Sequence, residues 1–102
     1  MAKTENSIWV AAQLENGEAL GVTYELLGQA RRLADQAGQN TAVVLISKEN
    51  NGQAEKLIAR GADVVYSVLG AEYEDYNVEL YSNAICELAQ MYQPSGIMFA
   101  AT

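Results

Sequence analysis

Four short apolar runs, each separated from the next by a helical pattern, decide what this chain can fold into. The first, Ile8-Trp9-Val10-Ala11-Ala12, is continuous rather than alternating, which suits a parallel strand covered by helices on both faces. The second, Thr41-Ala42-Val43-Val44-Leu45-Ile46, is rich in β-branched residues, and the third is Val64-Val65-Tyr66-Ser67-Val68-Leu69. The fourth, Ile97-Met98-Phe99-Ala100-Ala101, ends next to Thr102. Between the first two lies the strongest helical signal. Leu26, Leu27, Ala30, Leu33, Ala34 and Ala37 form one 3.6-period stripe, with Gln29, Arg32, Asp35 and Gln36 left for water. Thr23 is the expected N-cap and Gly38 the expected left-handed residue past its end.

The intervening loop, Gln13 to Gly21, contains the turn signal Asn16-Gly17. Because a helix follows, it reads as a strand-to-helix loop rather than a hairpin. After the second strand, Asn50 and Gln53 have capping-box spacing. The short helix behind them is expected to turn Ala54, Leu57 and Ile58 inward and Glu55, Lys56 and Arg60 outward, and to end at Gly61. Asn77 is positioned to cap a third helix whose stripe is Leu80, Tyr81, Ala84, Ile85, Leu88, Ala89 and Tyr92, stopped by Pro94.

The resulting βαβαβαβ order predicts an α/β fold: a three-layer α/β/α sandwich around a mostly parallel, Rossmann-like sheet. Right-handed crossovers with one reversal of direction give the strand order 3-2-1-4. Ligands of such sheets sit at the reversal, beyond the carboxyl ends, here Ala11-Ala12-Gln13 and Ala101-Thr102. A chain stopping on a buried parallel strand is expected to be incomplete, truncated after the fourth strand. The expected organisation is a polar tail over 1–7 and one α/β domain over 8–102, with a modest core.

Charge and composition exclude several functions. The net charge is −7, and the half from 52 to 102 carries two basic residues against seven acidic ones, with no cation after Arg60. Nucleic acid and anionic membranes are therefore poor partners, since both need clustered cations. No apolar run approaches the roughly 18 residues of a membrane span. The polar first seven residues have no secretory h-region, and the single cysteine, Cys86, suits a reducing compartment. The expected location is cytoplasmic.

No catalytic constellation emerges. Without histidine the chain lacks the commonest general base and metal ligand. Cys86 reads as an inert, semi-buried thiol on the flank of the third helix. Glu72, Glu74 and Asp75 read as a solvated acidic turn rather than a metal site, having no calcium-loop spacing, and could equally face a basic partner. Gly17 and Gly21 flank a loop that could approach a phosphate, but neither Gly-x-Gly-x-x-Gly nor a P-loop is present. Of the tyrosines that suggest a stacking platform (Tyr73, Tyr76, Tyr81 and Tyr92), Tyr81 and Tyr92 belong to the core stripe. Trp9 reads as core rather than flavin contact. No residue is assigned a catalytic, cofactor-binding or metal role.

Four stretches nevertheless carry a family resemblance. Ile8-Trp9-Val10, Tyr24-Glu25-Leu26-Leu27-Gly28-Gln29-Ala30-Arg31-Arg32-Leu33-Ala34, Leu57-Ile58-Ala59-Arg60-Gly61-Ala62-Asp63-Val64-Val65-Tyr66 and Pro94-Ser95-Gly96-Ile97-Met98-Phe99-Ala100-Ala101-Thr102 occur in order. Together they resemble the N-terminal domain of the electron transfer flavoprotein α subunit. The resemblance implies an adenine-nucleotide α-hydrolase-like fold and a heterodimer with a β subunit. That complex carries electrons from flavin dehydrogenases, such as acyl-CoA dehydrogenases, to a downstream acceptor. It also implies that FAD belongs to a C-terminal domain absent here, and AMP or a second FAD to the β subunit, leaving this segment as scaffold. The family's following Gly-Arg-Asp segment and long helix are missing, so no FAD contact is carried over. The competing expectation is a stand-alone adenine-nucleotide-binding module resembling universal stress proteins. An uncovered sheet edge also predicts self-association.

Overall fold

The computed structural model describes residues 7–15, 18–19, 21–75 and 77–99. Strands β1 (Ser7–Ala11), β4 (Asn40–Ser47), β5 (Val64–Leu69) and β6 (Gly96–Met98) form one parallel sheet in the order β5-β4-β1-β6. This is the anticipated order with its single reversal between β1 and β6. Ile8 pairs with Thr41 on one side and Gly96 on the other, and Val44 pairs with Tyr66. Helices α1 (Gly21–Ala37) and α2 (Gln53–Ala59) cover one face, and α3 (Val78–Tyr92) covers the other. Handedness requires this division. The chain steps one way from β1 to β5, then back across to β6, and a right-handed crossover changes face when its direction reverses.

The continuous apolar strands follow from the two covered faces. Val10 and Val43 point into a core with Leu27, Ala30, Leu57 and Ala62, while Trp9, Ala42, Val44 and Ile46 point into a second core with Ala84. Leu80 is half-buried, and Tyr81, Ile85, Leu88, Ala89 and Tyr92 pack onto the second core, as the stripe predicts. Trp9 is fully buried, its indole N–H donating to Ser7 Oγ at 2.8 Å. Its ring lies 5.0 Å from that of Tyr66, which stacks on Tyr92 at 4.8 Å. Ala42, the register partner of Trp9 on the intervening strand, is small enough to let the β1 and β5 rings meet above β4.

The helix ends follow local chemistry. At the end of α1, Gly38 adopts φ +66° and the Gln39 amide donates to the Ala34 carbonyl at 2.8 Å, the 6→1 bond of a Schellman motif. Gly61, at φ +119°, allows the same closure of α2, with the Ala62 amide on the Leu57 carbonyl at 3.1 Å. Asn77 caps α3 by accepting from the Leu80 amide at 3.1 Å, and Pro94 follows the helix end.

Several expectations are corrected. The loop after β1 does contain a hairpin: β2 (Leu14–Glu15) pairs antiparallel with β3 (Glu18–Ala19) across positions 16–17, so the Asn-Gly signal marks a hairpin despite the helix behind it. Thr23 is not the cap of α1, which starts two residues earlier at Gly21; it lies inside the first turn, fully buried. The capping box does not form. Gly52 occupies the N-cap position of α2, Asn50 Oδ1 accepts from the Ala54 amide at 2.9 Å, and Gln53 turns inward. Leu33, Ala37 and Ile58 are exposed rather than buried, because their flanks overhang the core contacts made by Leu27, Ala30, Ala34 and Leu57. The fourth strand is described only to Phe99; its expected last residues, Ala100 and Ala101, lie outside the described residues.

Candidate functional site

The order reversal places the candidate site at the carboxyl ends of β1 and β6. On the β1 side the backbone continues its register one step, the Ala12 amide donating to the Val44 carbonyl at 2.9 Å. Gln13 then meets Thr23: its amide donates to Thr23 Oγ1 at 2.9 Å, and the Thr23 hydroxyl donates back to the Gln13 carbonyl at 3.1 Å. These bonds fix the exit of β1 to the first turn of α1. The hairpin follows, its Ala19 amide donating to Gln53 Oε1 at 2.9 Å. On the β6 side the description reaches Met98 and the exposed Phe99, while Ala101 and Thr102 lie outside the described residues.

The charged groups with perturbed protonation lie at the other end of the sheet. Arg31 on α1 donates from Nη1 to Asp63 Oδ2 at 2.7 Å and from Nη2 to Asp35 Oδ1 at 2.7 Å. The Asp63 carboxylate also accepts from the Thr41 amide at 2.9 Å. Burial pushes the Asp63 carboxyl up, but the Thr41 amide together with the Arg31 guanidinium outweighs it and holds the group below its ordinary value. The Asp63 hydrogen bond raises Arg31 against the opposing effect of burial, with Asp35 adding to the rise. Thr41 and Asp63 stand at the amino ends of β4 and β5, so this network closes the base of the sheet.

The other residues singled out in the sequence are dispersed. Glu72 is exposed, and Glu74 pairs with Lys48 at 3.5 Å. Among the described residues no group of three or more carboxylates and thiols is arranged to hold a metal ion. Tyr73 meets Tyr81 edge-on at 5.9 Å, and the Tyr81 hydroxyl donates to the Tyr73 carbonyl at 3.3 Å, so these two rings pack on each other. Tyr76 and Gly17 lie outside the described residues. Gly21 opens α1, with empty space where a side chain would stand. Cys86 is exposed rather than semi-buried, since it falls on the side of α3 turned from the sheet. A shallow groove of about 520 Å³ runs between the end of α1 and the start of β6, lined by Ile8, Leu33, Ala37, Gln39 and Met98. It lies along the β1–β6 pair beside α1, rather than beyond the carboxyl ends of the strands.

Sequence reasoning missed Gln53 and Arg31. Arg31 carries a usable signal, an arginine four residues before Asp35, the spacing of an ion pair along one helix face. Gln53 had none, because its partner lies 34 residues earlier.

An open parallel sheet with a strand-order reversal and helices on both faces defines a Rossmann-like α/β domain. The family model described as "Electron transfer flavoprotein domain" matches residues 8–102, and the chain belongs to that family. It is 42% identical to the electron transfer flavoprotein subunit alpha of Thermoanaerobacterium thermosaccharolyticum, over 93% of this chain and 29% of that protein. It is 38% identical to the subunit of the same name from Megasphaera elsdenii, over 93% of this chain and 28% of that protein. Protein FixB of Bradyrhizobium diazoefficiens is 34% identical over 98% of this chain and 28% of its own length. The chain thus spans less than a third of each of these curated relatives. No helix among the described residues is long and apolar enough to cross a membrane.

Proposed function

We propose that this domain is the scaffold and subunit-interface part of an electron transfer flavoprotein. The complex carries electrons from flavin dehydrogenases, such as acyl-CoA dehydrogenases, to a downstream acceptor in the cytoplasm. FAD is held by a C-terminal domain beyond these residues, and the partner is a β subunit. Within this reading no residue of the segment is catalytic, cofactor-binding or metal-ligating. The observation that carries it is the family match along 8–102, which takes in β4, β5, β6 and all of β1 but Ser7. The packing of the larger rings is in keeping with it: Trp9, Tyr66 and Tyr92 engage one another, and Tyr73 engages Tyr81.

Co-expression with the β subunit tests the interface. A stable one-to-one complex on size exclusion is the expected result, and two separately eluting proteins would count against it. Titration with ATP or AMP tests the competing module, for which Gly21 at the start of α1 is the available backbone approach. Micromolar binding by the isolated chain would contradict a purely structural role.

A further inference from the structure

The β2–β3 hairpin cannot hold its own position. Its ladder is two residues long on each strand, far below what an isolated hairpin needs in water. Its Glu15–Glu18 pair also places two like charges directly opposite each other. The hairpin is instead gripped at both ends by side chains from two different helices. Thr23 of α1 exchanges two hydrogen bonds with the backbone of Gln13, just before β2. Gln53 of α2 accepts the amide of Ala19, at the end of β3.

Gln53 is an unusual choice for its site. The residue is 1% exposed, and among the described residues its Nε2 has no hydrogen-bond partner. A buried donor left unmatched is a standing cost. Methionine, of similar length and shape, would fill the space without that cost but could not accept from Ala19. The glutamine is thus a poor core residue and a good anchor.

We propose that Thr23 and Gln53 form a clasp that straps the hairpin over the β4 side of the sheet and keeps it off the β1–β6 reversal. The direction follows from topology. Gln53 begins the helix after β4, and β4 and β6 flank β1 on opposite sides. A return strand tied to Gln53 is therefore drawn away from β6. The proposal is independent of the electron-carrier reading.

Amide hydrogen exchange by NMR on the full chain, with urea unfolding, tests it. In the wild type the Gln13 and Ala19 amides are expected to be protected. Gln53→Met is expected to speed exchange at Ala19 by about tenfold or more, leaving the Val43 and Val44 amides and the urea midpoint undiminished. Thr23→Val is the independent check, speeding exchange at Gln13 with the β4 amides unchanged. An unprotected Ala19 amide in the wild type, or unchanged exchange there in Gln53→Met, overturns the clasp. So does a Gln53→Met chain that loses stability throughout or fails to fold, since Gln53 would then be an ordinary structural residue. Nuclear Overhauser contacts from Ala19 to Met98 rather than to α2 would overturn the side assignment.

Discussion

Arg31 and Asp63 stand 32 residues apart in the chain and meet at 2.7 Å, tying the middle of α1 to the entry of β5. The same Asp63 carboxylate holds the Thr41 amide, and Thr41 Oγ1 donates to the Gly61 carbonyl at 3.0 Å. One carboxylate therefore joins a helix to two strands, and the Thr41 hydroxyl extends the network to the turn after α2. Asp63→Ala is expected to lower stability by about 1–3 kcal/mol, chiefly through the buried Thr41 amide it leaves unpaired, as read from urea unfolding.

The same pair sets an acid limb. The Asp63 carboxyl is lowered in the folded chain. Its contribution is therefore present above the ordinary carboxylate value of about 4 and is lost as pH falls through the lower folded value. Thermal unfolding followed from pH 7 downward should show Tm falling in that acid window. The slope should be shallower in Asp63→Asn, and equal slopes would mean that Asp63 does not carry the effect.

In the second core, Trp9→Ala should cost about 3–5 kcal/mol through the cavity it leaves. Ala42→Leu should cost about 1–3 kcal/mol by forcing the Trp9 and Tyr66 rings apart. Urea midpoints check both. A neutral Ala42→Leu would mean the rings do not need the gap that alanine leaves.

Asn77→Ala should cost about 1 kcal/mol by removing the cap of α3. Exchange should rise at the Leu80 amide and not in α1, which distinguishes a local cap from a global defect.

Among the described residues β5 and β6 are the sheet edges, and Leu69 of β5 and Phe99, next after β6, are exposed. Exposed edges and apolar side chains seek partners. The isolated chain is expected to self-associate. Sedimentation equilibrium checks this, and a monomer at every concentration would contradict it.

What was legible in the sequence was whatever repeats. The strand order followed from four apolar runs and crossover handedness, and the α3 stripe from its period, because burial on a sheet imposes that period on any sequence. Two-residue strands have no period to detect, so the pairing of Leu14 and Glu15 with Ala19 and Glu18 leaves no trace in the sequence beyond the turn signal Asn16-Gly17. The spacing of Gln53 to Asn50 suggests a cap, whereas its side chain bonds Ala19 from a distant part of the chain. Periodicity turns Leu33 and Ile58 inward although both are exposed, because it gives the direction of a stripe and not its width. The family is legible from its motifs, and the order reversal gives the position of the carboxyl-end site, but no titratable cluster or glycine pattern marks what would bind there.

The most direct test of the scaffold reading is a visible absorption spectrum of the complete protein, co-expressed with its neighbouring subunit and purified under native conditions. Stoichiometric FAD with oxidised-flavin absorption is the expected result. A colourless protein that releases adenine nucleotide on denaturation would contradict it and make this domain a nucleotide-binding module.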